Sequence, residues 1–263
     1  MNPKVSICIP AYKQADSLKR CLDSIAVQTF KTYEIIVSDD SPGDEIKQLT
    51  EQYRDLPIVY HKNAHALGSP ENWNHAIRLA SGEYIKIMHH DDWFASSVSL
   101  QQFVELLDKH PEAFFGFSAC KDIGINQIIS RHPNGFELKN LRKNPDILGL
   151  GNLIGAPSVT IFRNHSDIFF DKQLIWLVDI EFYIRFLRKY PGFAYTSAEL
   201  VNIGLSENQI TNQCKDDKEL IRKEKDYLFY KLNLQYGLFY QGYHQLKNKF
   251  IPEIKKKIRQ IWK

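Results

Sequence analysis

An α/β fold, with a mixed, mostly parallel sheet flanked by helices and a carboxyl-terminal helical extension, is predicted by three observations. Short apolar runs at 5–9, 34–38, 58–60 and 83–88 read as strands. Between them lie segments whose apolar residues recur at helical spacing, and strand–helix alternation of this kind builds a parallel sheet. The 263 residues are 43% hydrophobic and 25% charged, a globular balance with enough chain for one sizeable core.

Taken in order, Val5-Ser6-Ile7-Cys8-Ile9 forms a buried strand stopped by Pro10. Asp16 or Ser17 caps a helix that places Leu18, Cys21, Leu22 and Ile25 on one face. Residues 34–38 form the second strand, closed by the turn cluster Asp39-Asp40-Ser41-Pro42-Gly43. A polar helix covers 45–53 and a short strand 58–60. Gly68 marks a turn with positive φ or a close backbone approach. Pro70 opens a helix that runs to about 80, where Ser81-Gly82 breaks it. The next strand starts at Glu83 and ends in Met88-His89-His90-Asp91-Asp92-Trp93.

The second half is less regular. A helix is predicted over 96–109, with Val98, Leu100, Phe103, Leu106 and Leu107 on its apolar positions, and a strand over 113–119. Residues 121–150 have weak periodicity and many Asn, Pro and Gly, which reads as a long loop over the site. A strand at 157–162, a helix at 178–189 stopped by Pro191-Gly192, and short strands at 193–195 and 200–203 follow. From Lys218 the chain is helical. Its aromatics Tyr227, Phe229, Tyr230, Tyr236, Phe239, Tyr240 and Tyr243 are expected to pack on the core. At the end, Ile251, Ile254, Ile258 and Ile261 recur at helical spacing among lysines and beside Trp262. Such a basic amphipathic helix either makes peripheral contact with an anionic membrane surface or packs on the domain with a solvated face.

The totals exclude several classes. A net charge of +3 gives no global field for nucleic acid. Cys8, Cys21, Cys120 and Cys214 form no CxxC pair, and scattered thiols fit a reducing, cytoplasmic compartment. The amino terminus enters a strand without a basic-then-apolar leader, and no apolar run approaches bilayer length.

The strand ending in two histidines and two carboxylates carries the most chemistry. Buried anions at a sheet edge are costly, and open α/β sheets bind ligands at the carboxyl ends of their strands. Two carboxylates there can hold a hard divalent cation, which in turn holds phosphates. Asp91 is the candidate direct ligand. His89, two residues earlier and on the same side of an extended chain, is a candidate nitrogen ligand, tolerated better by Mn²⁺ than by Mg²⁺, or a ribose partner. The alternative reading of Asp91-Asp92 is a helix cap before Trp93. His90 either joins the donor pocket or is structural.

Residues 5–12, then Leu18, Leu22, Ser24-Ile25, Gln28-Thr29 and 35–41, resemble the opening of family 2 glycosyltransferases. Asn63, Gly68, Asn74, the run 80–85 and Asp91-Asp92 continue the resemblance, which returns more thinly at 157–163 and 179–185. The resemblance implies a GT-A fold over 1–215, with a nucleotide-binding half (1–120) and an acceptor-binding half (121–215), and 216–263 as the helical extension. It implies a nucleotide-sugar donor, typically UDP-linked, a divalent metal (Mn²⁺ or Mg²⁺), inversion at the anomeric carbon, and a glycan or lipid-linked glycan acceptor. The setting it suggests is surface-polysaccharide assembly in the cytoplasm, at the inner face of the membrane. Two departures stand out. His89 occupies the place where the family's metal motif usually begins with aspartate, and Trp73 the place where many members carry arginine.

The same resemblance implies that Asp39, with Asp40 beside it, accepts from the nucleotide base, against an Asx turn as the local alternative. Pro10, Ala11 and Tyr12 would border that pocket, and Asn74 would face the donor, with Asn72 capping or facing solvent. Asp179 matches the acid that removes the acceptor's proton, Glu181 is its runner-up, and Arg185 pairs with an acid or with phosphate. A sugar nucleotidyltransferase is the competing enzyme class, although Pro10-Ala11-Tyr12-Lys13-Gln14 lacks the glycine-rich loop that cradles a triphosphate. A non-catalytic nucleotide-sugar-binding protein is the other alternative.

Overall fold

A computed structural model describes residues 2–125, 127–164, 167–205, 214, 217–235 and 241–246. The first half alternates as its pattern predicts: β1 (Val5–Ala11), α1 (Ala15–Ala26), β2 (Tyr33–Asp39), α2 (Glu45–Thr50), β3 (Ile58–Lys62), α3 (Glu71–Arg78) and β4 (Tyr84–Ile87). These strands pair in parallel, β2 with β3 and β1 with both β2 and β4. Every residue of β1 is buried, as expected of a central parallel strand covered on both faces.

Pro10 does not end β1. Pairing with β4 stops at Cys8↔Ile87, and the Cys8 carbonyl points to that side, accepting from Met88 N at 3.0 Å. The N–H that Pro10 lacks would face the same side, beyond the last pair, so nothing is lost there. The expected cap of α1 is also displaced. The helix starts at Ala15 with Gln14 in the left-handed region as its cap residue, and Asp16 sits in the first turn, where it favours the dipole. The predicted face of Leu18, Cys21, Leu22 and Ile25 is buried.

The second half adds β5 (Trp93–Phe94), α4 (Ser99–Asp108), β6 (Phe115–Ile123), β7 (Ile128–Arg131), α5 (Gly135–Lys143), β8 (Thr160–Arg163), α6 (Val178–Lys189), β9 (Ala194–Gly204) and α7 (Lys218–Leu232). The nine strands run β3-β2-β1-β4-β8-β6-β9-β5, with β7 paired to β6. β8 enters antiparallel between β4 and β6, and β9 lies parallel to β6.

The long loop expected over 121–150 is replaced by regular structure. β6 runs on to Ile123 and turns back into β7. α5 then starts on a capping box: Asn134 Oδ1 accepts from Glu137 N (3.0 Å) while Glu137 Oε2 accepts from Asn134 N (2.8 Å). The two short strands expected after Pro191 are one strand, β9. Irregular register at Ser118–Cys120 of β6 absorbs the polar stretch in its middle.

α7 is fastened to the preceding region. Leu228 and Leu232 are buried in the core, and Lys231 bridges Asp171 (2.6 Å) and Glu181 (2.9 Å). Tyr227 packs as expected, with its hydroxyl donating to Asp171 at 2.7 Å. Phe229 and Tyr230 are exposed instead, on the outer face of the helix. Tyr236, Phe239, Tyr240 and the basic segment carrying Ile251, Ile254, Ile258, Ile261 and Trp262 lie outside the described residues. Among the described residues, no helix is long and apolar enough to cross a membrane.

Candidate active site

The carboxyl ends of β1, β2 and β4 converge on one edge of the sheet. Asp39 ends β2 with its carboxylate fully buried. Its Oδ1 accepts from Ser41 N (2.7 Å), and its Oδ2 from the Tyr60 hydroxyl (2.7 Å) and Lys62 Nζ (3.1 Å). The Asx turn weighed as the local alternative is therefore formed. Asp40 accepts from Asn63 Nδ2 (2.7 Å), Leu67 N (3.0 Å) and Gly68 N (2.9 Å), which pins the connection between β3 and α3 across the strand ends. Gly68 takes φ +74, and a Cβ there would touch nothing, so conformation alone requires glycine.

Neither asparagine of α3 takes the role expected of it. Asn72 is buried at the strand ends, donating to Ser38 O (3.0 Å) and Ala11 O (3.4 Å) and accepting from the Ser38 hydroxyl (2.6 Å). Asn74 points the other way, and its amide brackets the Phe170 backbone, donating to O (2.9 Å) and accepting from N (2.7 Å). Asn74 is thus spent on internal structure, which removes it from the donor set. Pro10 and Ala11 are buried, whereas Tyr12 is half exposed and available as a wall. His90 Nδ1 lies 3.3 Å from Pro10 O, which ties the histidine loop to the end of β1.

No helix starts after Asp92. Trp93 enters β5 and pairs with Asn202 of β9, so the capping alternative for Asp91-Asp92 fails. Among the described residues, His89, Asp91 and Asp92 are the one trio whose ligand atoms all lie within 4.8 Å of one another. Burial pushes the His89 imidazole down to about 4, so the ring is neutral at ordinary pH with a lone pair to give. Its 4.0 Å approach to Asp92 is accordingly not an ion pair. Burial, reinforced by the charge of Asp91, raises the Asp92 carboxyl well above the usual range. The Nε2 atoms of His89 and His90 are buried without a partner. An orphaned imidazole nitrogen beside two carboxylates is a mixed N,O donor set that fits a divalent cation such as Mn²⁺.

Several residues hold this corner, most of which, Trp73 apart, the sequence pattern did not single out. The Ser158 hydroxyl accepts from His89 N at 2.9 Å and bonds Asp92. Lys86, fully buried in β4, donates to the carbonyls of Ile87 and Ser158 and lies over the Phe103 ring. Burial pushes its ammonium down to about 7. Trp73 packs its ring 4.6 Å from that of His89, so this chain roofs its histidine with an apolar surface. Arg20 of α1 stacks on Trp93 at 3.9 Å and donates to the Asp91 carbonyl at 3.2 Å. Gly204 donates its N–H to Asp92 Oδ1 (3.1 Å), and a Cβ there would sit 2.4 Å from Asp91 O. Gly204→Ala is therefore expected to displace the Asp91 turn. It should destabilise the fold by about 1–3 kcal/mol, an overpacking cost measurable by denaturant melts.

Asp179 lies in the first turn of α6 and is partly buried. Its Oδ1 accepts from Ile180 N (2.8 Å) and its Oδ2 from Asn152 Nδ2 (2.6 Å). Burial pushes its carboxyl up to about 7, and these hydrogen bonds oppose the push. Glu181, the runner-up, is fully buried and bound to Arg185 (2.9 Å) and Lys231, so it is a structural ion and not a base. Arg185 takes the acid-pairing option. The start of α6 is fixed from α7, where Glu224 accepts from the amides of Ile175, Trp176 and Leu177 at 2.6–3.0 Å.

Comparison with known proteins places this geometry. The sequence is 33% identical over 134 residues to the Escherichia coli UDP-Glc:alpha-D-GlcNAc-diphosphoundecaprenol beta-1,3-glucosyltransferase WfaP, a match covering 49% of this chain and 52% of that one. The chain thus matches about half the length of that relative. Staphylococcus aureus TarS (residues 1–349) in complex with UDP-GlcNAc superposes with a TM-score of 0.67 at 20% identity, covering 93% of this chain and 71% of that one. The mannosyltransferase PcManGT from Pyrobaculum calidifontis, in complex with GDP-Man and Mn²⁺, superposes with a TM-score of 0.62 at 15% identity, covering 90% and 66%. The fold is GT-A, with the mixed sheet and flanking helices of these transferases. The Glycosyl transferase family 2 model matches residues 6–168, from β1 through the acidic corner to just past β8, and the chain belongs to that family of glycosyltransferases.

Proposed function

We propose that this enzyme transfers a sugar from a UDP-linked donor to a glycan or lipid-linked glycan acceptor with inversion, in surface-polysaccharide assembly. The observation that carries the reading is the trio His89, Asp91 and Asp92 at the end of β4, inside a family 2 sequence. WfaP, by its name, takes UDP-glucose and a diphosphoundecaprenol-linked acceptor. We read residues 1–120 as holding the donor, 121–215 the acceptor, and 216–263 as the extension. The reaction is placed in the cytoplasm, at the inner face of the membrane, where a basic carboxyl-terminal helix would dock.

Asp91, His89 and Asp92 would hold Mn²⁺ or Mg²⁺, which when bound supplies charge neutralisation for the diphosphate. Tyr12, Ala11 and Pro10 wall the nucleotide, with His90 tied to Pro10. Asp39 and Asp40 shape the pocket through their turn and the 63–68 connection rather than through open oxygens. Asp179 takes the proton of the acceptor hydroxyl. That oxygen then attacks the anomeric carbon through an oxocarbenium-like state, and the bond to the diphosphate breaks with its electron pair on the departing oxygen.

A base pushed up to about 7 gives a pH signature. Below that value Asp179 is protonated and cannot accept, so kcat/KM should rise about tenfold per pH unit below 7 and level off above it. The stability sign is opposite: a raised carboxyl favours the fold at low pH and loses that contribution as pH rises through about 7. The reading is tested by incubating the enzyme with UDP-glucose, UDP-GlcNAc or GDP-mannose and a polyprenyl-diphosphate-GlcNAc acceptor, then assigning the anomeric configuration of the product by NMR. An inverted product from a UDP-sugar is expected. A retained configuration would overturn the base role.

A further inference from the structure

The side chain of Asn152 is wholly committed between the base and the turn that precedes β8. Its Nδ2 donates to Asp179 Oδ2 at 2.6 Å and to Gly155 O at 3.1 Å. Its Oδ1 accepts from Ile154 N (3.0 Å) and Gly155 N (2.8 Å). Gly155 O also accepts from the hydroxyl of Tyr183, which is fully buried one helical turn beyond Asp179. The 152–155 turn is therefore clipped to α6 at two points, and one clip is the catalytic carboxylate. Backbone amides alone could have fastened such a turn. Spending a side-chain amide on Asp179 fixes both carboxylate oxygens, since Ile180 N already holds Oδ1.

We propose that Asn152 is a positioning residue for the general base: its amide holds the Asp179 carboxylate in the orientation that receives the acceptor's proton. This inference rests on the base role given to Asp179 above. An amide is the suitable partner because it donates a hydrogen bond yet gives up no proton and brings no charge. The proton removed from the acceptor must therefore stay on Asp179. The hydrogen bond strengthens the ionised form against the burial that raises it, so the base remains usable near neutrality. Tyr183 on the same helix acts on Asp179, Glu224 of α7 holds the amides 175–177 just before it, and the His244 imidazole lies against Gly151 beside the turn. The 152–155 turn itself brings none.

Asn152→Asp separates positioning from mere turn-building. It keeps the Oδ1 that accepts from Ile154 and Gly155 but replaces the donor to Asp179 with a second carboxylate oxygen. The acid limb of kcat/KM is expected to move up by roughly one pH unit or more, and kcat at pH 7 to fall about tenfold or more. The calorimetric affinity for UDP should stay within about twofold, because the Asn152 side chain is fully engaged by Asp179, Ile154 and Gly155. Asn152→Ala, which adds no charge, should move the limb the same way by a smaller amount. An acid limb unmoved in both variants would overturn the inference. So would loss of melting temperature and UDP affinity with an unshifted limb, the mark of a purely structural role. The parent reading fails separately: if Asp179→Asn transfers sugar at the wild-type rate, the base role itself is lost.

Discussion

Replacing Asp91 by alanine is expected to abolish sugar transfer while leaving the fold standing. The carboxylate sits at the end of β4 with His89 and Asp92, their ligand atoms within 4.8 Å. The turn around it is held by Arg20 through the Asp91 carbonyl, which alanine keeps. The variant should therefore melt within a few degrees of wild type. A cation at a departing diphosphate is worth several kcal/mol of transition-state stabilisation, roughly a thousandfold or more in rate. Two measurements separate the outcomes: steady-state transfer, which should fall by about that factor, and UDP binding with Mn²⁺, which should drop to the metal-free value. Full transfer by Asp91→Ala would contradict the assignment.

Asp179→Asn should give the complementary phenotype. The amide keeps the shape of the carboxylate and the acceptor for Ile180 N, but it cannot take a proton. General-base contributions run from about a hundredfold to ten-thousandfold, and a loss of about a thousandfold in kcat is expected. Donor affinity should be unchanged because the first turn of α6 is fixed by Glu224 independently of residue 179. The variant should also lose the pH dependence near 7, leaving a flat, slow profile. Loss of UDP affinity without a change in the pH profile would move Asp179 out of the base role and into donor binding.

Much of this architecture is visible in the sequence for a local reason. β1, β2, α1 and β4 declare themselves because a central parallel strand is apolar throughout and a packed helix repeats at 3.6 residues. The acidic corner is visible because its residues are contiguous, and Asp179 through the family resemblance of the segment it opens. What could not be read depends on partners far along the chain. Asn72 and Asn74 have the same local pattern. Only the placement of Ser38 and Phe170, which are 34 and 96 residues away from them, decides which one faces the strand ends. Lys86 looks like the polar face of a strand, yet the Ser158 carbonyl and two phenylalanine rings make it a buried cation. Ser158, Asn152, Gly204 and Glu224 likewise acquire their roles through long-range contacts. The segment 121–150 was a different failure. The Asn134–Glu137 capping box is written in the sequence, but weak apolar periodicity concealed the helix it starts. Family membership also decides between the enzyme classes that the motifs alone left open, on the side of a glycosyltransferase.

Every role proposed for the corner after Met88 depends on its holding a divalent cation. Calorimetric titration of UDP into the wild-type enzyme, first with Mn²⁺ and then after chelation, addresses it directly. Binding at least tenfold tighter with Mn²⁺ is predicted. Equal affinity in the two conditions would contradict a metal-anchored diphosphate and, with it, the function assigned to His89, Asp91 and Asp92.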